Sequence, residues 1–412
     1  MTEFSTNGRP RVVITGMGAI SPLGHTVEEN WQSLLDGRSG IARITQFDSS
    51  HLPVRIAGEV KDFDPGDYMN FKEARRISRA SQLAVAATTM ALKDAGLEPP
   101  LENAERVATI VGTGSGGLEV ADRELTVLRT KGFNRVSPFA MVGYLANMPA
   151  YHLSLLAGAK GHISTVVTAC ASGTSALGEA LDLIRNGRAD MAIAGGVEGL
   201  IHEASITGFA RMRALSTRND DPQHASRPFD RERDGTVLSE GAGILILERL
   251  DHALARGATI HAELQGYGAS SDAYHISQPD PESAGAVRAM RWALEDARVD
   301  TDQVDYINAH GTSTPLNDAM ETLAIKRLFG EQAYEIPVSS SKSVLGHALG
   351  ATGAIEAIIS TKALNSSILP PTWNYEFPDP ACDLDYVPNA PREASIDTIL
   401  TNSFGMGGQN AC

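Results

Sequence analysis

Four segments of this chain share one plan: a β-branched run, a turn of small residues, then a helix-length stretch with an apolar stripe. They fall into two pairs. Val107 to Gly117 is echoed by Val304 to Ile325, and Val166 to Ile184 by Val338 to Ile359. A strand feeding a helix through such a turn is the unit of layered α/β architecture, in which strands are largely buried. Its doubling predicts an α/β chain of two similar halves, residues 1–260 and 261–412. Strands are also expected at Arg11 to Ile14, Ile163 to Val167, Met191 to Ala194, Gly243 to Leu247 and Ile399 to Thr401. Helices are expected at Ser81 to Ala95, Ser175 to Arg185, Ala284 to Ala297 and Ala319 to Leu328.

Bulk properties narrow the function. With 412 residues, 42% hydrophobic and 21% charged, the chain can bury a large core. No apolar stretch reaches the roughly 18 residues of a membrane span, and Met1 to Pro10 lacks a signal-peptide core. A cytoplasmic protein without membrane association is therefore expected. The net charge of -15 argues against nucleic-acid binding, which needs clustered cations. Three scattered cysteines, Cys170, Cys382 and Cys412, make no disulfide framework and fit a reducing compartment.

Cys170 stands apart from the other two. It lies in Val166-Val167-Thr168-Ala169-Cys170-Ala171-Ser172-Gly173, where a strand breaks into small residues before a helix. At a helix N-terminus, free amides and the helix dipole favour a thiolate, and the same amides would bind an oxyanion. The alternative is a buried structural cysteine. Two histidines occupy comparable turns, in Asn308-Ala309-His310-Gly311-Thr312-Ser313-Thr314-Pro315 and Ser339-Ser340-Ser341-Lys342-Ser343-Val344-Leu345-Gly346-His347. Turns after strands are where active sites of α/β proteins gather. One cysteine and two histidines form a constellation open to nucleophilic catalysis. Zinc is disfavoured, because metal sites usually draw two ligands from close spacing. A Cys/His protease would leave the second histidine and Lys342 unexplained. The turn Gly112-Thr113-Gly114-Ser115-Gly116-Gly117 matches a dinucleotide fingerprint, yet no ribose-binding acid follows it. With 39 glycines in the chain, a close backbone approach is the better reading of that turn.

Together these segments resemble the β-ketoacyl-acyl carrier protein synthases of type II synthesis. The likeness runs from Val12-Val13-Ile14-Thr15-Gly16-Met17-Gly18 to Asn402-Ser403-Phe404-Gly405-Met406-Gly407-Gly408. Between them lie Leu215-Ser216-Thr217-Arg218-Asn219, Arg227-Pro228-Phe229-Asp230 and Arg233-Asp234-Gly235. The resemblance implies a thiolase-like fold, two similar halves in a five-layered α-β-α-β-α arrangement, usually dimeric. It implies a decarboxylative condensation: Cys170 takes an acyl group from a carrier protein, and a malonyl-carrier thioester loses carbon dioxide and attacks it. His310 and His347 would stabilise the enolate, Lys342 would orient the site with Glu356 as its partner, and the amides of Cys170 and Met406 would form the oxyanion hole. Thr312 and Thr314 would flank the phosphopantetheine arm, and Ser115, Thr236, Phe404 and Met406 would line the substrate channel. No separate cofactor is implied, since the carrier protein brings the substrates. Carrier proteins are acidic, and Lys72, Arg75, Arg76, Arg135 and Arg213 would form the basic patch that receives one.

Departures bear on substrate choice. Relatives usually carry phenylalanine where this chain has Thr236, a second aromatic where it has Met406, and a larger aliphatic residue at Ser115. A roomier pocket is expected, which would suit polyketide or polyene chains as an alternative to fatty acids. The chain also stops at Cys412, so its final strand is expected to be short or clipped. A non-catalytic chain-length factor would lack Cys170, and a biosynthetic thiolase would need a second cysteine in a suitable turn. The chain is expected to act as a homodimer, or as a heterodimer with a related subunit.

Overall fold

Val12–Ile20 forms strand β1, nine residues buried throughout. Its glycines explain that length. A β-carbon on Gly16 would lie 2.3 Å from the Ala91 carbonyl oxygen, and one on Gly18 2.0 Å from that of Ala87. The alanine-rich helix α1 (Arg79–Asp94) therefore packs directly on the strand backbone. The strand expected at Arg11 to Ile14 thus runs on to Ile20, past a register irregularity between Ile14 and Gly16. Glycine lowers strand propensity, yet here it admits a helix at close range. The computed structural model describes residues 5, 6 and 8–412.

In chain order the first half continues with β2 (Val107–Gly112), α2 (Leu118–Lys131), β3 (Ile163–Val166), α3 (Ser172–Arg185), β4 (Met191–Glu198) and β5 (Gly241–Arg249). The strand β6 (Ala262–Glu263) pairs with β1, so the chain leaves the first sheet just past residue 260. The second half supplies β7 (Ala269–Ser271), α4 (Ala284–Ala297), β8 (Tyr306–Asn308), α5 (Pro315–Phe329), β9 (Val338–Ser339), α6 (Thr352–Ser366), β10 (Ile399–Thr401), β11 (Ser403–Gly405) and β12 (Gln409–Ala411).

The strand order proves the duplication. The first sheet runs β6-β1-β5-β4-β2-β3. The second half runs β7-β12-β11 and, across the break at Asn402, β10-β8-β9. From β1 onward, with β6 an added antiparallel edge strand, the senses agree with those of the second half: antiparallel, antiparallel, parallel, parallel. Cys412 extends β12 by pairing with Gly268 in both directions, at 3.1 and 2.9 Å.

Helices α3 and α6 lie between the sheets and share one core. It holds Ala176, Leu177, Ala180, Leu181 and Ile184 of α3, Ala354 and Ile358 of α6, and the inner faces of β1, β4 and β5. Helix α1 covers the outer face of the first sheet, and α4 and α5 cover that of the second. The result is a mixed α/β thiolase-like fold with a duplicated five-layer arrangement. Helix α5 starts four residues before its apolar stripe, because Pro315 opens it and the Thr314 hydroxyl accepts from the Asn317 amide. Among the described residues no helix is long and apolar enough to cross a membrane.

Glycines set the distance between the halves. A β-carbon on Gly196 of β4 would lie 2.2 Å from the Gly350 carbonyl oxygen and 3.0 Å from Gly173 Cα. Replacing Gly196 by alanine should therefore cost about 3 kcal/mol through overpacking. Denaturant unfolding of Gly196→Ala reads this directly, and an unchanged midpoint would show that the contact can relax.

Candidate active site

Cys170 is reached through strain. After β3 the backbone of Ala169 takes φ 51°, in the left-handed region, and residues Ala169–Ala171 make one tight turn into α3. The Ser172 hydroxyl braces this turn, accepting from the Thr168 amide at 2.9 Å and donating to the Ala169 carbonyl at 2.7 Å. A strained non-glycine residue persists only where its surroundings over-determine it. Here they aim a thiol that is only 8% exposed.

The histidines arrive from the second half. His310 follows β8, and its amide and that of Gly311 each donate at 2.8 Å to buried Glu321 of α5. His347 follows the short helix Lys342–Leu345, and its Nδ1 lies 3.2 Å from the Thr352 hydroxyl at the start of α6. The two rings meet edge to face at 5.4 Å, and Phe404 of β11 packs on His310 at 5.8 Å. A sulfur or nitrogen from each of Cys170, His310 and His347 lies within 4.8 Å of the others. The expected constellation is brought together. His310 Nδ1 and His347 Nε2 are buried without a hydrogen-bond partner among the described residues.

Sequence spacing therefore gives no argument against a metal, since folding supplies the proximity that sequence withholds. The electrostatics supply one. Lys342 is fully buried beside the site and donates at 2.6 Å to Glu356, the partner expected for it. Burial, then the Lys342 ammonium, then His347 hold His310 well below the usual imidazole pKa. Burial and Lys342 do the same to His347. A site already facing an ammonium disfavours a further cation.

For Cys170 the expectation of a lowered pKa is reversed. Burial pushes the thiol up to about 11, against the Met406 amide and the Lys342 ammonium, which favour the thiolate. Glu198 adds to the upward push. A helix N-terminus acts over one turn, but desolvation acts on the whole buried sulfur.

A cavity of about 410 Å³ opens onto these groups. Cys170, His310, His347, Phe404 and Met406 line it with Thr236, Leu238 and Leu349, and Thr312, Thr314 and Arg213 also border it. The hydroxyls of Thr312 and Thr314 are 3.0 Å apart. Lys342 stands behind this wall. Ser115, expected along the channel, does not line the cavity, because its hydroxyl and amide both bind Glu198. Lys72, Arg75 and Arg76 are exposed on one short turn, with Arg76 4.4 Å over the Phe139 ring. Arg135 is exposed on a separate turn.

Sequence reasoning missed Glu198 and Glu321, both fully buried. Burial pushes Glu321 up to about 7 against the amides of Gly311 and His310. The available signals were an acid ending the apolar run Met191–Glu198 and one on the apolar face of α5, between Met320 and Thr322.

A cysteine and two neutral histidines at the end of an apolar cavity, on a duplicated thiolase-like fold, define a thioester-condensing site. The chain matches the models of the beta-ketoacyl synthase N-terminal domain over residues 9–253 and C-terminal domain over residues 261–376. It is 51% identical over 402 residues to 3-oxoacyl-acyl-carrier-protein synthase 2 of Synechocystis sp., covering 98% of this chain and 97% of the relative. It is 48% identical over 400 residues to the enzyme of the same name from Coxiella burnetii, covering 97% of each. Among solved structures, the ishigamide ketosynthase/chain length factor aligns with a TM-score of 0.92 at 38% identity, over 98% of both chains. The AntDE:AntF complex, a type II PKS acyl-carrier protein with its ketosynthase, aligns at 0.90 and 36%, also over 98% of both. This chain belongs to the β-ketoacyl synthase family and is one of its condensing enzymes.

The Lys342–Glu356 pair gives a stability test. Removing one partner strands a fully buried charge, so Lys342→Met should lose about 3–5 kcal/mol in denaturant unfolding. Adding Glu356→Leu should recover most of that loss, because it removes the stranded charge. A double variant no more stable than the single one would contradict this account.

Proposed function

We propose that the chain is a β-ketoacyl-acyl carrier protein synthase of fatty-acid biosynthesis, with Cys170 as nucleophile and His310 and His347 as enolate-stabilising donors. The convergence of these three groups at the end of one apolar cavity carries the reading. In the first stage the Cys170 sulfur attacks the thioester carbonyl of a carrier-bound acyl group. The oxyanion would sit on the amides of Cys170 and Met406, and the pantetheine thiol leaves with the proton the cysteine gives up. In the second stage malonyl thioester loses carbon dioxide. The resulting enolate attacks the Cys170 thioester, and the released cysteine takes up one proton.

Neutral histidines suit the second stage. With the Thr352 hydroxyl donating to Nδ1, His347 carries its proton on Nε2, free of any acceptor among the described residues. Such a donor stabilises a developing oxyanion without delivering a full proton to it. Lys342 is a positioning residue here, keeping both rings neutral from behind. Thr312 and Thr314 would contact the pantetheine arm. Lys72, Arg75, Arg76, Arg135 and Arg213, all exposed, would receive an acidic carrier protein. Strand β3 lies at the edge of its sheet with Ile163 and Val167 exposed beside it, which supports pairing with a second copy or a related subunit.

A second reading, a type II polyketide or polyene ketosynthase, is favoured by Thr236 and Met406 on the cavity wall. A small residue and an unbranched one leave an adaptable pocket. Ser115 carries no part of this argument.

Intact mass after incubation with acyl-carrier thioesters tests the reading, wild type beside Cys170→Ala. An adduct on wild type alone is expected. No adduct from a broad acyl panel would reject the nucleophile, and preference for bulky unsaturated chains would favour the polyketide reading. The pH dependence carries its own sign. Because the folded imidazoles hold protons less tightly than a free one, their neutral form persists as pH falls below about 6.5. Malonyl-thioester decarboxylation by Cys170→Ala should therefore stay level from about pH 8 to about pH 6 and fall only in stronger acid. A decline centred on about pH 6.5 would mean that ordinary histidines do the work.

A further inference from the structure

The glycine turn from Gly112 to Gly117 has the form of an anion cradle, and the protein fills that cradle itself. Glu198, the last residue of β4, is fully buried there. Its Oε2 accepts from the Gly114 amide at 2.7 Å and from the Gly350 amide at 3.1 Å. Its Oε1 accepts from the Ser115 amide at 3.1 Å, from the Ser115 hydroxyl and from the Thr113 hydroxyl at 3.3 Å. Three backbone N–H groups aimed at one carboxyl group favour its ionised form, against the burial that raises its pKa.

The donors come from both halves of the fold. Gly350 lies three residues after His347, and between them Leu349 is held at φ 38°. A β-carbon on Gly350 would lie 2.6 Å from the Gly114 nitrogen, so the two turns touch backbone to backbone. The cysteine turn meets them at the same place. A β-carbon on Gly173 would lie 2.7 Å from the Gly350 carbonyl oxygen, and one on Gly114 3.0 Å from Glu198 Oε2 and 3.8 Å from the Ala169 carbonyl oxygen. Neither stage of the condensation uses Glu198.

We propose that Glu198 is a positioning residue of the condensing site: it ties the His347 turn to the glycine turn, on which the Cys170 turn packs, and sets a negative charge behind the thiol. This rests on the reading of Cys170 as nucleophile and His347 as donor. The charges facing Cys170 are then the Lys342 ammonium and the Glu198 carboxylate, with His310 and His347 neutral. Glu119 of α2 also lies within electrostatic reach of Glu198. Burial keeps the resting thiol protonated against the Met406 amide and Lys342, and Glu198 adds to that push.

Glu198→Gln separates charge from shape. The glutamine carbonyl can keep the Gly114 and Gly350 amides, while its NH2 donates to the hydroxyls of Ser115 and Thr113, which rotate to accept. Only the Ser115 amide loses its partner. The readout is iodoacetamide alkylation of Cys170 against pH, followed by intact mass with Cys170→Ala as blank. The midpoint should fall by about one pH unit, with alkylation about tenfold faster at neutral pH. A midpoint unmoved from wild type would overturn the proposal. Glu198→Ala, which empties the cradle, should lower kcat for malonyl-thioester decarboxylation at least about tenfold with KM unchanged, since Glu198 touches no substrate. A rise in KM alone would also count against it. If wild-type Cys170 takes no acyl group, the nucleophile reading fails separately, and the alkylation midpoints still report on the charge of Glu198.

Discussion

Everything at this site depends on how closely two backbones can approach. The cysteine turn belongs to the first half and both histidine turns to the second, so catalytic proximity requires the halves to meet without side chains between them. Gly173, Gly196 and Gly350 provide that meeting, with added β-carbons 2.2 to 2.7 Å from the opposing backbone. Helices α3 and α6 start at this contact and run into the shared core, so their apolar packing fixes the distance that the glycines permit. The duplicated fold thereby presents its two strand–turn–helix units to each other, Cys170 on one and His347 on the other.

Closeness of this kind carries an electrostatic consequence. The thiol, both imidazoles, Lys342 and three carboxyl groups lie in or beside one dehydrated region, and burial disfavours the charged form of the thiol, the imidazoles and the carboxyls. Dedicated partners are given to Lys342, on Glu356, and to Glu198, on three amides. His310 Nδ1 and His347 Nε2 have none among the described residues, and burial holds both rings toward the neutral form. This division follows from desolvation, since a group pre-committed to an ion pair cannot respond to charge that develops in a reaction. Neutral histidines with unpaired nitrogens are free to do so.

Much of this was legible in the sequence, and what was hidden follows a pattern. The paired strand–turn–helix units revealed the duplication, and the small residues around Cys170, His310 and His347 marked the turns because nothing larger would fit. Lys342 and Glu356 were paired correctly, fourteen residues apart on adjoining helices. Burial was the quantity that sequence could not supply. It reversed the expected pKa of Cys170, turned Ser115 away from the channel toward Glu198, and concealed Glu198 and Glu321 as seemingly ordinary acids. Strand ends failed for the same reason. The residues Gly16 and Gly18 look like a break until α1 is seen resting on them.

The cavity wall shows where such a protein can vary without losing its chemistry. Cys170 follows the strained Ala169, and His310, His347 and Lys342 are held by buried hydrogen bonds. Thr236 and Met406 carry no comparable duty through their side chains. The Met406 contribution to the thiol is its amide, which any residue but proline would supply. Its side chain is therefore free to set the shape of the pocket while its backbone serves the thiol. A position that gives its backbone to chemistry and its side chain to recognition lets substrate range drift while catalysis holds. Relatives that share this fold accordingly bear names as different as 3-oxoacyl-acyl-carrier-protein synthase and type II PKS ketosynthase.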